Sequence, residues 1–168
     1  MVVLAVLLAV SAVACSGSGS PVLGEEPEPV PAIEDGEWFA FVIVGEDESG
    51  AMTLGVDLAD MLTGEEARQA AIADGVIGED EDLPNDFYID NPAQVYELLH
   101  LAGESEIVVL SGTDPGEEVR IDADQLAALY EGEYAGEPVY GVVAGEPIAM
   151  NVTVADGVIT VASMVYLP

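Results

Sequence analysis

The chain has 168 residues, 33 of them Asp or Glu against only Arg68 and Arg120, with no lysine and a formal net charge of −31. No basic surface can form from two arginines, which excludes the phosphate neutralisation that nucleic-acid binding needs and any direct attraction to anionic lipid headgroups. Apolar residues make up 51% of the chain, enough for one folded domain with a real core, and the single cysteine excludes an intramolecular disulfide.

The acidity has two physical readings. Carboxylates spread along nearly the whole chain after its apolar opening suit a protein kept hydrated in concentrated salt, where the screening length falls to about 3 Å at 1 M. A cationic partner or bound divalent ions is the other. Even spacing and the absence of lysine favour the first.

Taken in chain order, the sequence opens with Met1 to Ala14, MVVLAVLLAVSAVA, and then Cys15. An apolar run of this length is shorter than the roughly 20 residues a membrane span requires and matches the core of an export signal. Ala12-Val13-Ala14-Cys15 resembles the lipobox of bacterial lipoproteins, in which the cut falls before a cysteine whose thiol has received diacylglycerol. The resemblance implies cleavage after Ala14, lipidation of Cys15, attachment to a membrane through that lipid, and an extracytoplasmic address. An ordinary secretory leader cut at the same place, leaving a free thiol, is the plainer alternative. Residues 15–36 read as a lipidated Gly/Ser then Pro/Glu tether, flexible at first and semi-extended after.

Residues 37–168 read as one β-rich domain. Trp38 to Val44 is an apolar run of strand formers, followed by a Gly/Asp/Ser turn and the alternating Met52-Thr53-Leu54-Gly55-Val56, which predicts a hairpin with a central first strand. Thr63-Gly64-Glu65-Glu66 has the spacing of a capping box, with Gly75 as the stop, so a helix is expected between them. Strands are expected at Phe87 to Ile89, Val95 to Leu101 and Ile107 to Leu110, and a second helix over Asp122 to Tyr130 with Asp122 and Gln125 as its box.

The clearest signal is Asp156-Gly157 between two alternating runs, a type I′ hairpin. It places Ile148, Met150, Val152, Val154, Ile159, Val161 and Val165 on one face and Asn151, Thr153 and Thr160 on the other. The expected fold class is α+β: a small antiparallel barrel or strongly twisted sheet of six to eight short strands with one or two packed helices.

Leu62-Thr63-Gly64-Glu65-Glu66-Ala67, Asp74-Gly75, Leu83 to Ile89, Asn91-Pro92 and the closing Tyr166-Leu167-Pro168 together resemble a group of small secreted bacterial proteins. The resemblance spans Trp38 to Pro168 and implies a shared domain without implying an activity.

Chemistry-bearing patterns are few. His100, the one histidine, lies in an apolar strand beside Leu98 and Tyr96, with no nucleophile motif around it. One histidine and one committed cysteine cannot make a zinc set, so no cofactor is expected. Glu79-Asp80-Glu81-Asp82 is the densest acidic run, and Glu79, Asp80 and Asp82 are its candidate calcium ligands. The run lacks the EF-hand spacing, and a solvated acidic stretch is the plainer reading. Tyr130, Tyr134 and Tyr140, around the Gly132 to Gly145 stretch, are the candidate contact surface, whereas Trp38, Phe39, Phe87, Tyr88 and Tyr96 read as core. The expected function is a lipid-anchored, non-enzymatic envelope domain with a binding or structural role, through a protein or cationic partner. A calcium- or cation-binding surface protein and a carboxylate-dependent hydrolase are the alternatives.

Overall fold

The computed structural model describes residues 32–167. The leader, Ala14, Cys15 and nearly all of the expected tether lie outside the described residues.

Eight strands and two helices follow the chain as β1 (Gly36–Glu46), β2 (Met52–Leu58), β3 (Asp60–Thr63), α1 (Gly64–Ala73), β4 (Phe87–Asp90), β5 (Glu97–Leu110), β6 (Glu118–Ile121), α2 (Ala123–Glu131), β7 (Ile148–Ala155) and β8 (Val158–Met164). The large sheet runs β2-β1-β7-β8-β5-β6, and a further β2–β5 pairing closes five of its strands into a barrel. This is the small α+β barrel that the sequence patterning predicts. One seam, β5 with β8, is parallel, and the others in the barrel are antiparallel.

Alternation decides which side chains fill the barrel. Ala40 and Val42 of β1, Leu54 and Val56 of β2, Leu99 and Ile107 of β5, Met150 and Val152 of β7 and Ile159 and Ala162 of β8 form one buried cluster. Leu126 and Leu129 of α2 join it, so the second helix packs directly on the barrel interior. Both members of the expected box at α2 are present: the Asp122 carboxylate accepts from the Gln125 N–H at 2.8 Å, and the Gln125 side chain accepts from the Asp122 N–H at 2.9 Å. Removing it by Asp122→Ala should lower domain stability by about 1 kcal/mol, read as a shift in the urea midpoint without a change of slope.

The first helix starts differently from expectation. Thr63 is its N-cap, in extended geometry, yet its hydroxyl makes no cap bond. Gly64, at φ +62°, turns the chain between the threonine and the first turn, so the two halves of the expected box do not meet. Glu65 and Glu66 in that turn favour the helix start through the dipole instead. The stop is as read: Gly75 is left-handed at φ +71°, its N–H donates to Ile72 O, and the Val76 N–H donates to Ala71 O. Ala67 and Ala71, both buried, let α1 pack closely against β3 and β4, a two-stranded sheet beside the barrel.

Two strand expectations change. Val95 to Leu101 and Ile107 to Leu110 are not separate strands but parts of β5, which starts at Glu97, pairs with β8 at His100 and Leu101 and again from Glu106, and shifts register across the polar Gly103-Glu104-Ser105 between them. In the last hairpin Asp156 and Gly157 take φ +53° and +73°, as the I′ turn requires. Val154 pairs with Ile159 but Thr153 pairs with Val161, so Thr160 is the extra residue of a bulge. The bulge reverses the alternation beyond it. Ala162, not Val161, faces the core, and Val161 and Val165 are only half-buried.

Candidate interaction surface

The outer wall of β1, β2 and β5 is built from three rows set by register. Gly45, Thr53 and His100 form one, Ile43, Gly55 and Leu98 the next, and Phe41 with Asp57 the third. Their strand neighbours Val42, Leu54, Val56 and Leu99 point into the core, which leaves these rows outside. Gly55 is required where it stands. A β-carbon there would lie 2.7 Å from Ile43 Cγ1 and 3.5 Å from Tyr96 Cδ1, because those two side chains close over it.

The segment entering β5 leaves large apolar side chains in solvent. Leu98 is 62% exposed, Val95 41% and Tyr96 37%. Together with half-buried Ile43 they make an apolar strip on an otherwise acidic body. It lies where the chain joins the barrel, since the Ile33 N–H donates to the Glu97 carboxylate at 2.8 Å.

Beneath this strip is a polar latch. Asp57 is 2% exposed, and its two oxygens accept from the Val95 N–H at 3.1 Å and from Asn91 Nδ2 at 2.8 Å. The loop from Asn91 to Val95 is thereby held against the barrel wall. Partial burial pushes the Tyr96 hydroxyl above its usual range, and the Asp57 charge adds to that. Asp57→Ala strips both donors of their acceptor and should cost about 2 kcal/mol, with faster exchange of the Val95 amide as the local readout. Thr53 is also 2% exposed, and its Oγ1 has no partner among the described residues. Thr53→Val keeps the shape without the orphaned hydroxyl and should raise stability by about 1 kcal/mol in thermal unfolding.

His100 is exposed at the edge of the same wall, with Nε2 3.8 Å from Asp47 Oδ2. Asp47 is primarily a turn residue. Its Oδ1 accepts from Ser49 Oγ, Ser49 N–H and Ala51 N–H at 2.6, 2.7 and 2.9 Å, and the Ser49 hydroxyl bond is the main reason its carboxyl sits below the usual range. Histidine and acid form a surface contact, and no nucleophilic side chain is hydrogen-bonded to either nitrogen among the described residues.

Two of the three tyrosines expected at a contact surface tie loops through their hydroxyls. Tyr130 donates to Gly145 O at 3.3 Å, closing the glycine-rich stretch, and Tyr140 donates to Leu167 O at 3.0 Å while its ring lies 4.9 Å from that of Tyr166. Desolvation raises Tyr140, as does its Tyr166 neighbour. Tyr134 packs against the core cluster and beside a groove of about 380 Å³ whose one acid is Glu137. The aromatic residues expected in the core sit at its margin. Trp38 packs against the cluster, Phe39 and Phe41 meet edge to face at 5.8 Å on the outer wall, and Phe87 and Tyr88 are half-buried over α1. Tyr88 donates to Asp74 Oδ2 at 2.7 Å, the bond that raises its hydroxyl most.

Glu79, Asp80 and Asp82 are exposed in the loop after α1. Arg68 fixes that loop by donating to the backbone carbonyls of Glu79 and Glu81 rather than to carboxylates. Among the described residues no three of His, Cys, Asp and Glu converge as metal ligands, and the acidic run is not drawn together. Arg120 pairs with Glu106 at 2.7 Å across β5 and β6, an exposed contact contributing at most about 1 kcal/mol. No motif in the sequence marks the buried Asp57 or the apolar strip over it. The four consecutive residues Val95 to Leu98, three of them large and apolar ahead of a polar histidine, carry the available signal.

No family model, no curated protein and no solved structure matches the chain.

Proposed function

We propose that the chain is a lipid-anchored, extracytoplasmic envelope protein whose barrel domain has a non-enzymatic binding role. The observation that carries the anchorage is the placement of the only cysteine, Cys15, directly after an apolar run and before a Gly/Ser/Pro/Glu linker. Two or three acyl chains hold a protein firmly at about 0.8 kcal/mol per buried methylene, and a chain of net charge −31 has no basic patch to assist them. The strip of Val95, Tyr96 and Leu98 supports binding of a protein partner through an apolar contact. The hydrogen bonds of Asp47, Tyr88 and Tyr140 support the non-enzymatic reading, because they hold a turn, the end of α1 and the end of the chain.

The test is cross-linking of the intact lipoprotein in its own membrane, followed by recovery, for wild type and Leu98→Asp. Leu98 is solvent-exposed, so the variant folds and disturbs only the strip. A partner captured by the wild type and lost in the variant is the expected result. Identical recovery from both removes the strip from the account. Release of a Cys15→Ser variant into the medium is the matching expectation for the anchor.

A further inference from the structure

The loop over Asp57 contains an arrangement that nothing in its latching role requires. Asn91 precedes Pro92, its Nδ2 donates to the Asp57 carboxylate at 2.8 Å, and its Oδ1 is buried with no donor among the described residues. Asp57 is 2% exposed, and its other oxygen is occupied by the Val95 N–H. A carboxylate pulling on the amide N–H while the carbonyl oxygen has no donor shifts electron density toward nitrogen, which makes that nitrogen a better nucleophile than a solvated amide.

Proline at the next position selects what such a nitrogen can do. The usual intramolecular reaction of asparagine is attack by the following backbone nitrogen on the side-chain carbonyl, and Pro92 has no N–H with which to carry it out. The remaining route is attack by Nδ2 on the Asn91 carbonyl carbon. This closes a five-membered ring through side-chain torsions alone and demands no unusual backbone conformation. The leaving group is the tertiary amide nitrogen of Pro92, which departs as the secondary amine of a new N-terminal proline.

We propose that Asn91–Pro92 is a self-cleavage site with Asp57 as its base. Nδ2 bonds to the Asn91 carbonyl carbon, and the bond from that carbon to the Pro92 nitrogen breaks with its electron pair leaving on nitrogen. Asp57 takes the proton from Nδ2 and delivers it to the departing Pro92 nitrogen. No water, oxidant or cofactor is consumed. The products are a chain ending in a succinimide at Asn91 and a second chain beginning at Pro92. Both stay in the fold, because β4 remains paired with β3, and β5 with β2, β6 and β8. The break would free the latch at one end and open the loop that covers the Asp57 wall.

The experiment is intact-mass spectrometry of the folded protein, denatured only at injection, over a prolonged incubation at physiological temperature. The expected result is conversion into two fragments separated at the 91/92 bond, abolished in Asn91→Ala and stopped by incubation in urea. Asp57→Asn is the informative variant. Its amide pairs with a flipped Asn91 and keeps the loop in place, yet it cannot accept a proton, so the chain should stay whole while melting near wild type. Pro92→Ala restores the backbone N–H and should exchange cleavage for the small mass gain of deamidation. A wild-type chain that remains whole throughout, or cleavage that persists in Asp57→Asn, overturns the proposal.

Discussion

Leu54→Ala should be the most damaging single core substitution, lowering stability by about 4 kcal/mol and the melting temperature by roughly 10–15 °C. Leu54 is fully buried on β2 and pairs with Val44 on one side and Leu99 on the other, inside a closed ring of strands. An open sheet can relax toward a cavity by sliding a neighbouring layer. A barrel cannot, because each strand is held on both sides by hydrogen bonds and the mouth is filled by Leu126 and Leu129 from α2. The full cavity cost is therefore retained. Thermal and urea unfolding measure it, and a loss under about 1.5 kcal/mol would mean the barrel collapses around the void.

The second large effect needs no mutation. Moving from low salt to molar potassium or sodium chloride should raise the melting temperature by roughly 10 °C or more, about 3 kcal/mol for a domain of this size. With 33 acids and two arginines, nearly every surface carboxylate sees only like charges. Arg68 is used on backbone carbonyls and Arg120 neutralises one glutamate, so internal pairing removes little of the repulsion. Screening must come from solvent, and its reach contracts from about 30 Å at 0.01 M to about 3 Å at 1 M. Stability that stays flat across that range would show that the acids are already spaced beyond mutual influence, and the reading as salt adaptation would go with it.

How much of this was legible in the sequence depends on whether the deciding interaction was local. The Asp156-Gly157 turn, the Asp122–Gln125 box and the Gly75 stop are settled within a few residues, and each is found as read. Features that closure imposes were not legible. The bulge at Thr160 exists because a barrel strand must coil, and that demand is absent from the alternating pattern itself, so the pattern alone places Val161 and Val165 on the wrong face. The union of two short runs into β5 depends on strands distant in sequence, among them a parallel partner 55 to 58 residues away, which no local periodicity encodes. β6, with four residues of which two are charged, has too little pattern to stand out.

The same division applies to the surface. His100, Glu79, Asp80 and Asp82 drew notice because their types carry chemistry, and the fold leaves them as an exposed strand histidine and a loop pinned by Arg68. Asp57 carries no such signal, because in the sequence a carboxylate that will be buried looks like every other acid until a loop is seen lying over it. The tyrosines of the glycine-rich stretch stand out in sequence by their neighbours, and the fold ties two of their hydroxyls to backbone carbonyls, Tyr130 to Gly145 and Tyr140 to Leu167. The exposed strip at Val95, Tyr96 and Leu98 depends on which side of β5 faces outward, and that follows from its pairing with β2.

The anchored-domain account is tested most directly by mass spectrometry of the mature N-terminus isolated from the native membrane. The account predicts that residues 1–14 are gone and that the new terminal residue, Cys15, carries a thioether-linked diacylglycerol. A free thiol on Cys15, or a chain that still begins with its apolar leader, would contradict it.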